Sequence, residues 1–439
     1  MTSTNPAPER GEITADNAVD TPEAIAVRTG APPELMANSI GEYGRLWLKQ
    51  IRSGESGALP VIIGLIVIVI FFQVKSSAFL SAGNLVNLMT QAAFIITLGM
   101  AEVFVLLLGE IDLAAGFTAA CGAVIALYLV AKNYPWWVAV LACLAATGAY
   151  GALQGFIVTR LRLPSFVVSL AGYLFLSGAL LFLIDSTGDI GNGGVIRLNN
   201  NVLNDIEAGA LTAAASWIVM IALVALAGVM MYLRDHRRRS NGLVAPPLSI
   251  TLLKIGAIAV AGVVVVLVGN SNRGTLFLAV RGLPWVVLVV LGILVVYTTL
   301  LGRTRFGRYI YAIGGNAEAA RRAGVNTNRI KVAAFALCGL TAGITGIIYS
   351  SYLGSISSGV NGGANVLNAV AAAVIGGTSL FGGRGKMLDA VLGGLVVGVI
   401  ANGLQLLGLT APAQLMWTAL VLVGAVTVDA LTRRGRSTV

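Results

Sequence analysis

Charge is what this chain has least of. Only 11% of its 439 residues are Asp, Glu, Lys or Arg and 57% are hydrophobic, whereas an ordinary soluble domain carries about 25% charge. Too few ions remain to cover a water-facing surface, so a soluble domain is excluded and an integral membrane protein is implied. Histidine is nearly missing. His236, the only one, sits in Arg234-Asp235-His236-Arg237-Arg238-Arg239, where a solvated basic cluster accounts for it. The three cysteines, Cys121, Cys143 and Cys338, fall inside apolar runs without metal-ligand spacing and read as small buried hydrophobes. With no nucleophile–base pair and no metal cluster, nothing supports a membrane enzyme, and no cofactor is expected. A phosphate-binding loop is missing too. Gly385-Lys386 has Leu380 where such a loop needs glycine and Met387 where it needs Ser or Thr.

What is abundant is glycine. There are 54, and pairs such as Gly151/Gly155, Gly339/Gly343 and Gly394/Gly398 have the spacing that lets membrane helices approach closely. Apolar runs lie at roughly 58–74, 86–108, 114–131, 136–158, 164–184, 211–233, 251–269, 283–301, 332–352, 364–380, 388–408 and 411–430. Most approach the ~20 residues that cross a bilayer. The expected fold is therefore an all-α polytopic bundle of about twelve transmembrane helices.

The net charge of +10 marks topology rather than nucleic acid. With the N-terminus inside, Arg160 and Arg162, the Arg234–Arg239 cluster, Arg303–Lys331, Arg384 and Lys386, and Arg433, Arg434 and Arg436 all follow even-numbered spans, as the positive-inside rule requires. Trp136, Trp137, Trp217 and Trp285 then fall near the outer interface. Residues 1–45 lack an apolar period and read as a disordered cytoplasmic tail, with no signal-peptide pattern before the first run. Residues 46–432 form the membrane domain, with an inner loop at 302–331, and 433–439 form a second cytoplasmic tail.

That inner loop is both charged and patterned. Asn316 is suited to cap a short helix, Glu318 puts negative charge in its first turn, Arg321 and Arg322 put positive charge in its last, and Gly324 suits a left-handed stop. A helix this short needs support from beneath or from a partner. A loop serving topology alone needs the arginines but not the cap and the stop.

Gly314-Gly315-Asn316-x-Glu318-Ala319-Ala320-Arg321-x-Ala323-Gly324 resembles the cytoplasmic loop of bacterial sugar-uptake permeases of the ATP-binding-cassette class, the ribose and xylose permease family. The resemblance covers roughly residues 60–432. It implies a type II importer-like permease working as a homodimer in the bacterial inner membrane. Separate ATP-binding subunits would dock at Gly315, Asn316, Glu318, Ala319, Arg321, Arg322 and Gly324, and a soluble sugar-binding protein would deliver substrate outside. Two more stretches carry the likeness. Gly109-Glu110-Ile111-Asp112-Leu113-Ala114-Ala115-Gly116 resembles a family signature, with Glu110 in place of a glycine and Ala114 in place of a serine. Gly376-Gly377-Thr378-Ser379-Leu380-Phe381-Gly382-Gly383, followed by Arg384-Gly385-Lys386, also matches. The additional seventh and eighth spans resemble the longer xylose-type branch.

Both glycine-rich junctions fit Gly-x3-Leu-x2-Gly and suggest a distant duplication building two facing broken-helix corners. Asp112 either caps the third span or lines a polar path. Membrane-embedded carboxylates are functional candidates by default, which singles out Glu102 as well. A neutral sugar offers only hydroxyls, so Asn87, Gln91, Asn365, Asn368, Ser379 and Asn402 join Asp112 as candidates for the substrate path, with Asn84, Thr90 and Gln405 nearby; each amide could instead bond a neighbouring helix. Two other functions stay open: a permease for branched-chain amino acids or another small polar solute, and an ion-coupled secondary sugar transporter using Glu102.

Overall fold

The computed structural model describes residues 39, 41–46, 59–243, 245–273, 280–410, 412–420, 423 and 424. The expected C-terminal tail and nearly all of the N-terminal one lie outside the described residues. Within the latter, residues 41–46 are helical, and Leu46 is buried against Ile250 with Tyr43 beside it. Two apolar side chains three residues apart give this turn a packing face that the polar composition around it obscures.

In chain order the elements are α1 (Leu59–Lys75), α2 (Ala82–Leu106), α3 (Ala115–Ala131), α4 (Trp136–Leu161), α5 (Ser165–Ser186), β1 (Val195–Arg197), α6 (Asn201–Asn204), α7 (Ala213–Ser240), α8 (Leu248–Asn270), α9 (Trp285–Arg303), α10 (Arg305–Gly315), α11 (Ala317–Arg322), α12 (Thr327–Leu353), β2 (Ser355–Ser357), α13 (Gly362–Gly376) and α14 (Met387–Leu406). Eight are long and apolar enough to cross a membrane, and α1, α3 and α13 are shorter apolar helices. These eleven fall on the expected runs, with ends shifted by up to two turns. Helix α7 continues through Arg234–Ser240 because arginine sustains a helix well after the apolar run ends. Helix α12 starts early because Asn326 caps it, accepting from the Arg329 amide at 3.0 Å. The twelfth run is helical over residues 412–420, and much of its remainder lies outside the described residues.

The chain divides into two compact units. The smaller comprises residues 1–53 and 224–259. Within it the buried Asp235 carboxylate accepts from the Thr251 hydroxyl at 2.8 Å and pairs with Arg234 at 3.0 Å, while His236 is exposed and stacks on Tyr232.

The larger unit, residues 54–223 and 260–439, is built around α2. From Thr90 to Leu106 every residue of α2 except Phe94 is buried, chiefly by α12, α14 and α13. A helix apolar on all sides and covered on all sides is a core helix. Helix α5 is the contrast, presenting Phe166, Leu174, Phe175 and Phe182 outward as an apolar surface.

The glycine pairs sit where backbones touch. A Cβ on Gly151 of α4 would stand 2.2 Å from the Phe335 carbonyl oxygen of α12, and one on Gly339 would stand 2.3 Å from the Thr147 carbonyl oxygen of α4. Gly151→Ala therefore overpacks the α4–α12 crossing, at a cost of about 1–3 kcal/mol, and lowers the melting temperature in detergent. Gly178→Ala, with nothing within 4 Å of the new methyl, leaves it unchanged or higher. Equal melting of the two variants would show that the crossing tolerates a methyl.

At one end of the unit the chain departs from all-α. Strands β1 and β2 pair antiparallel, Ile196 opposite Ile356. Leu198 N donates to Gly354 O and Ser358 N to Gly194 O, each at 2.9 Å. Two segments that read as separate polar loops thus form one cap, held by the buried, apolar Ile196 and Ile356.

Candidate functional site

The opposite end of the larger unit gathers the family-like motifs. Helix α11 forms as its residues dictate. The Asn316 side chain accepts from the Ala319 amide at 2.9 Å, and Gly324 takes φ +82°. Glu318 pairs with Arg321 at 2.8 Å and Arg322 at 3.1 Å, and these bonds hold its carboxyl below the ordinary value. Of its six residues only Ala320 is buried, facing inward. Glu318, Arg321 and Arg322 are left exposed as a charged outer face.

Support from beneath comes from α10, a helix not expected from the charged loop sequence. Thr304 caps it, accepting from the Gly307 amide at 3.2 Å, and Gly307, Ile310 and Ile313 are buried on one side with Phe306 packing nearby. The i, i+4, i+7 stripe of Phe306, Ile310 and Ile313 was the available signal, overshadowed by three arginines and a double glycine.

Where α10 ends, both glycine-rich junctions meet it. Gly383 N donates to Leu107 O at 2.9 Å, so the junction after α13 is bonded directly to the one after α2. Gly314 lies against this bond: a Cβ there would stand 1.8 Å from Leu107 O and 2.5 Å from Gly383 N. The Tyr311 hydroxyl donates to Gly385 O at 2.7 Å. Lys331, in the first turns of α12, pairs with Glu110. Ile111 N donates to Ser165 Oγ at 3.2 Å, bringing the α4–α5 turn with Arg162 to the same end. The segments on either side of this six-residue helix are therefore tied, through the Gly314 backbone contact and the Tyr311 and Lys331 side chains, to the junctions that join α2 to α3 and α13 to α14.

The junctions face each other, as their shared pattern suggests, yet at this level they pack backbone to backbone. Asp112, 1% exposed, does not cap α3. Leu113 and Ala114 turn before the helix begins, so its carboxylate accepts from the Ala114 amide at 3.0 Å, with the Ala115 amide beside it, and also from Gln154 Nε2 of α4 at 2.7 Å. Ser379 is buried within its turn, its hydroxyl accepting from the Phe381 amide at 3.2 Å. The amides of α2 and α14 bond one another: Asn84 Nδ2 to Asn402 Oδ1 at 2.8 Å, Asn402 Nδ2 to Gln91 Oε1 at 3.1 Å, and Gln91 Nε2 to Gln405 Oε1 at 3.0 Å. Asn87 is exposed near the start of α2. Asn365 of α13 faces the Tyr349 hydroxyl, and Asn368 lines a groove of about 540 Å³ together with Tyr173, Asn361 and Thr418.

Against this geometry the comparisons are specific. The family model for the branched-chain amino acid transport system permease component matches residues 84–431. The chain belongs to this permease family. The xylose transport system permease protein of Escherichia coli (strain K12) is 34% identical to the permease over 389 residues, 88% of this chain and 94% of that one. Its counterpart in Haemophilus influenzae is 33% identical over 387 residues, 87% and 98% of the two chains. The ribose import permease protein of Escherichia coli (strain K12) is 29% identical over 387 residues, covering 88% and 95%. No solved structure gives a significant match. A polytopic helical permease with xylose-type and ribose-type relatives is what the motifs led one to expect.

Proposed function

We propose that this chain is the membrane-spanning subunit of an ATP-driven importer for a xylose-like pentose, in the bacterial inner membrane with both termini cytoplasmic. It works as a homodimer, with separate ATPase subunits docked on α11 and a soluble sugar-binding protein outside. One observation carries the reading: α11 exposes its charges outward while the backbone just before it rests on both junctions of the bundle. A push on that helix reaches α2, α3, α13 and α14 without an intervening flexible segment. Alternating access needs such a stiff connection, because a ligand on one face shifts the bundle only through contacts that differ between states. Hydrolysis of ATP belongs to the docked subunits, since this chain offers no phosphate-binding loop.

A neutral sugar is favoured over an amino acid by the groove beside Asn368. Its lining is uncharged, whereas a zwitterion needs charged or strongly dipolar partners at both ends. Competition for uptake by excess xylose but not by leucine tests this choice.

Reversing both exposed arginines, Arg321→Glu with Arg322→Glu, puts three carboxylates on α11 in place of one. The expected result is normal insertion and melting but loss of ATPase-subunit association and of ATP-driven uptake. Uptake at the wild-type rate would remove the docking role.

A further inference from the structure

Among the described residues, the core of the bundle holds polar atoms that the coupling role leaves unused. Glu102 of α2 has no exposed surface, and both of its carboxyl oxygens lack a hydrogen-bond partner; the Asp112 amide approaches without reaching bonding geometry. The Asp112 carboxyl is close enough to repel a charge on it. Gln154 of α4, 2% exposed, gives its Nε2 to Asp112 while its own Oε1 is unpartnered. Because Nε2 and Oε1 share one small planar amide, that orphan oxygen also lies at the cluster. Three buried acceptors thus stand beside Asp112 with no donor to serve them, in a place where unsatisfied polar atoms are costly.

The groups facing α2 from its neighbours do not cancel this charge. Helix α12 contributes the Cys338 thiol, directed at Asp112 Oδ2 at 3.6 Å, and Lys331, which is engaged by Glu110. Tyr297 of α9 is bonded to Thr341 at 2.7 Å. Asp389 of α14 accepts from Thr378 at 3.2 Å and from the Lys386 amide at 2.7 Å. Tyr150 of α4 senses Asp112 and brings no positive charge. Helix α13 has no titratable residue, and α3 has only Cys121 and Tyr128, neither of which brings positive charge.

We propose that Glu102, Asp112 and the Gln154 amide oxygen form an enclosed proton site, occupied at neutral pH. Two adjacent carboxylates sharing a site cannot both remain ionised without a counter-charge, and one proton removes the repulsion. It also supplies the donor that the orphan oxygens lack. A metal cation fits less well, because two N–H groups and a thiol already point into the cluster at Asp112, and donor hydrogens repel a cation where a sodium shell would need oxygens. The proton binds at a carboxylate oxygen with no other bond made or broken.

The test is infrared difference spectroscopy on the full-length chain in lipid nanodiscs at neutral pH. Subtracting Glu102→Gln from wild type should reveal a carboxylic-acid carbonyl stretch. That band should survive mild alkalinisation, be unaffected by sodium chloride, and be distinct from one removed by Glu207→Gln. Loss of carboxylate bands instead, or disappearance of the acid band on adding sodium, overturns the proposal. Should the Gln variant not fold, wild-type chain carrying ¹³C at the glutamate side-chain carboxyls decides the point. The proposal requires a resonance at the protonated position that does not titrate near neutrality and does not belong to Glu207; its absence refutes it.

Discussion

Gly314→Ala is expected to cut ATP-driven uptake by about 5- to 150-fold while the chain still inserts. The new methyl would fall 1.8 Å from Leu107 O and 2.5 Å from Gly383 N, and both are backbone atoms that cannot swing aside. Either α10 lifts off the junctions or the Gly383–Leu107 bond opens. Overpacking of this kind costs about 1–3 kcal/mol, and a coupling free energy of that size corresponds to the stated factor. The neighbouring glycine is the control. Gly315 has nothing within 4 Å of its would-be Cβ, so Gly315→Ala should preserve the melting temperature and the contact of α10 with the junctions. The uptake of reconstituted complexes and the melting of the permease alone, measured for both variants, separate coupling from stability. Undiminished uptake by Gly314→Ala would mean that force does not travel through this contact.

The second large effect concerns stability and pH. Glu207 lies in the cap, outside the membrane-spanning helices. Its amide is held by Ser351 Oγ at 3.1 Å, while both carboxyl oxygens are buried and unpartnered. Burial pushes the carboxyl up to about 9 from an ordinary 4.5. Between those values the folded chain keeps a proton that the unfolded chain has released, so stability falls as pH rises through this window. Below about pH 4.5 the group costs nothing further, and above about pH 9 the loss is complete. At about 1.4 kcal/mol per unit, the penalty reaches about 3 kcal/mol at neutrality. Glu207→Gln should therefore melt higher than wild type, with a gap that widens from about pH 5 to about pH 9 and closes near pH 4.5. A gap independent of pH, or a less stable variant, would mean that the carboxylate is ionised and satisfied.

Much of the site was legible because its chemistry is local. Asn316, Glu318, Arg321, Arg322 and Gly324 cap, charge and stop a helix within nine residues, and the structure forms that helix with those roles. The membrane spans were legible for the same reason. Asp112 was not, because whether a carboxylate caps a helix or ties a turn depends on where the helix starts, and a two-residue turn decided it. The amides of α2 and α14 offered both a polar path and mutual bonds; close packing of the two helices, which brings Asn84, Gln91, Asn402 and Gln405 together, gives the second. The cap escaped notice because three-residue strands carry almost no periodic signal.

By itself, then, the sequence determined that this protein lives in a membrane, which of its segments are apolar enough to cross it, which family it resembles and where its short charged helix forms. Those are sums over neighbouring residues, of transfer free energy, capping and charge. Only the tertiary structure decided that Gly314 rests on both junctions, that Glu110 meets Lys331 across 221 positions, and that Glu102 and Glu207 are buried without partners. Such pairings are set by how helices pack, and packing joins residues whose separation along the chain has no bearing on their separation in space.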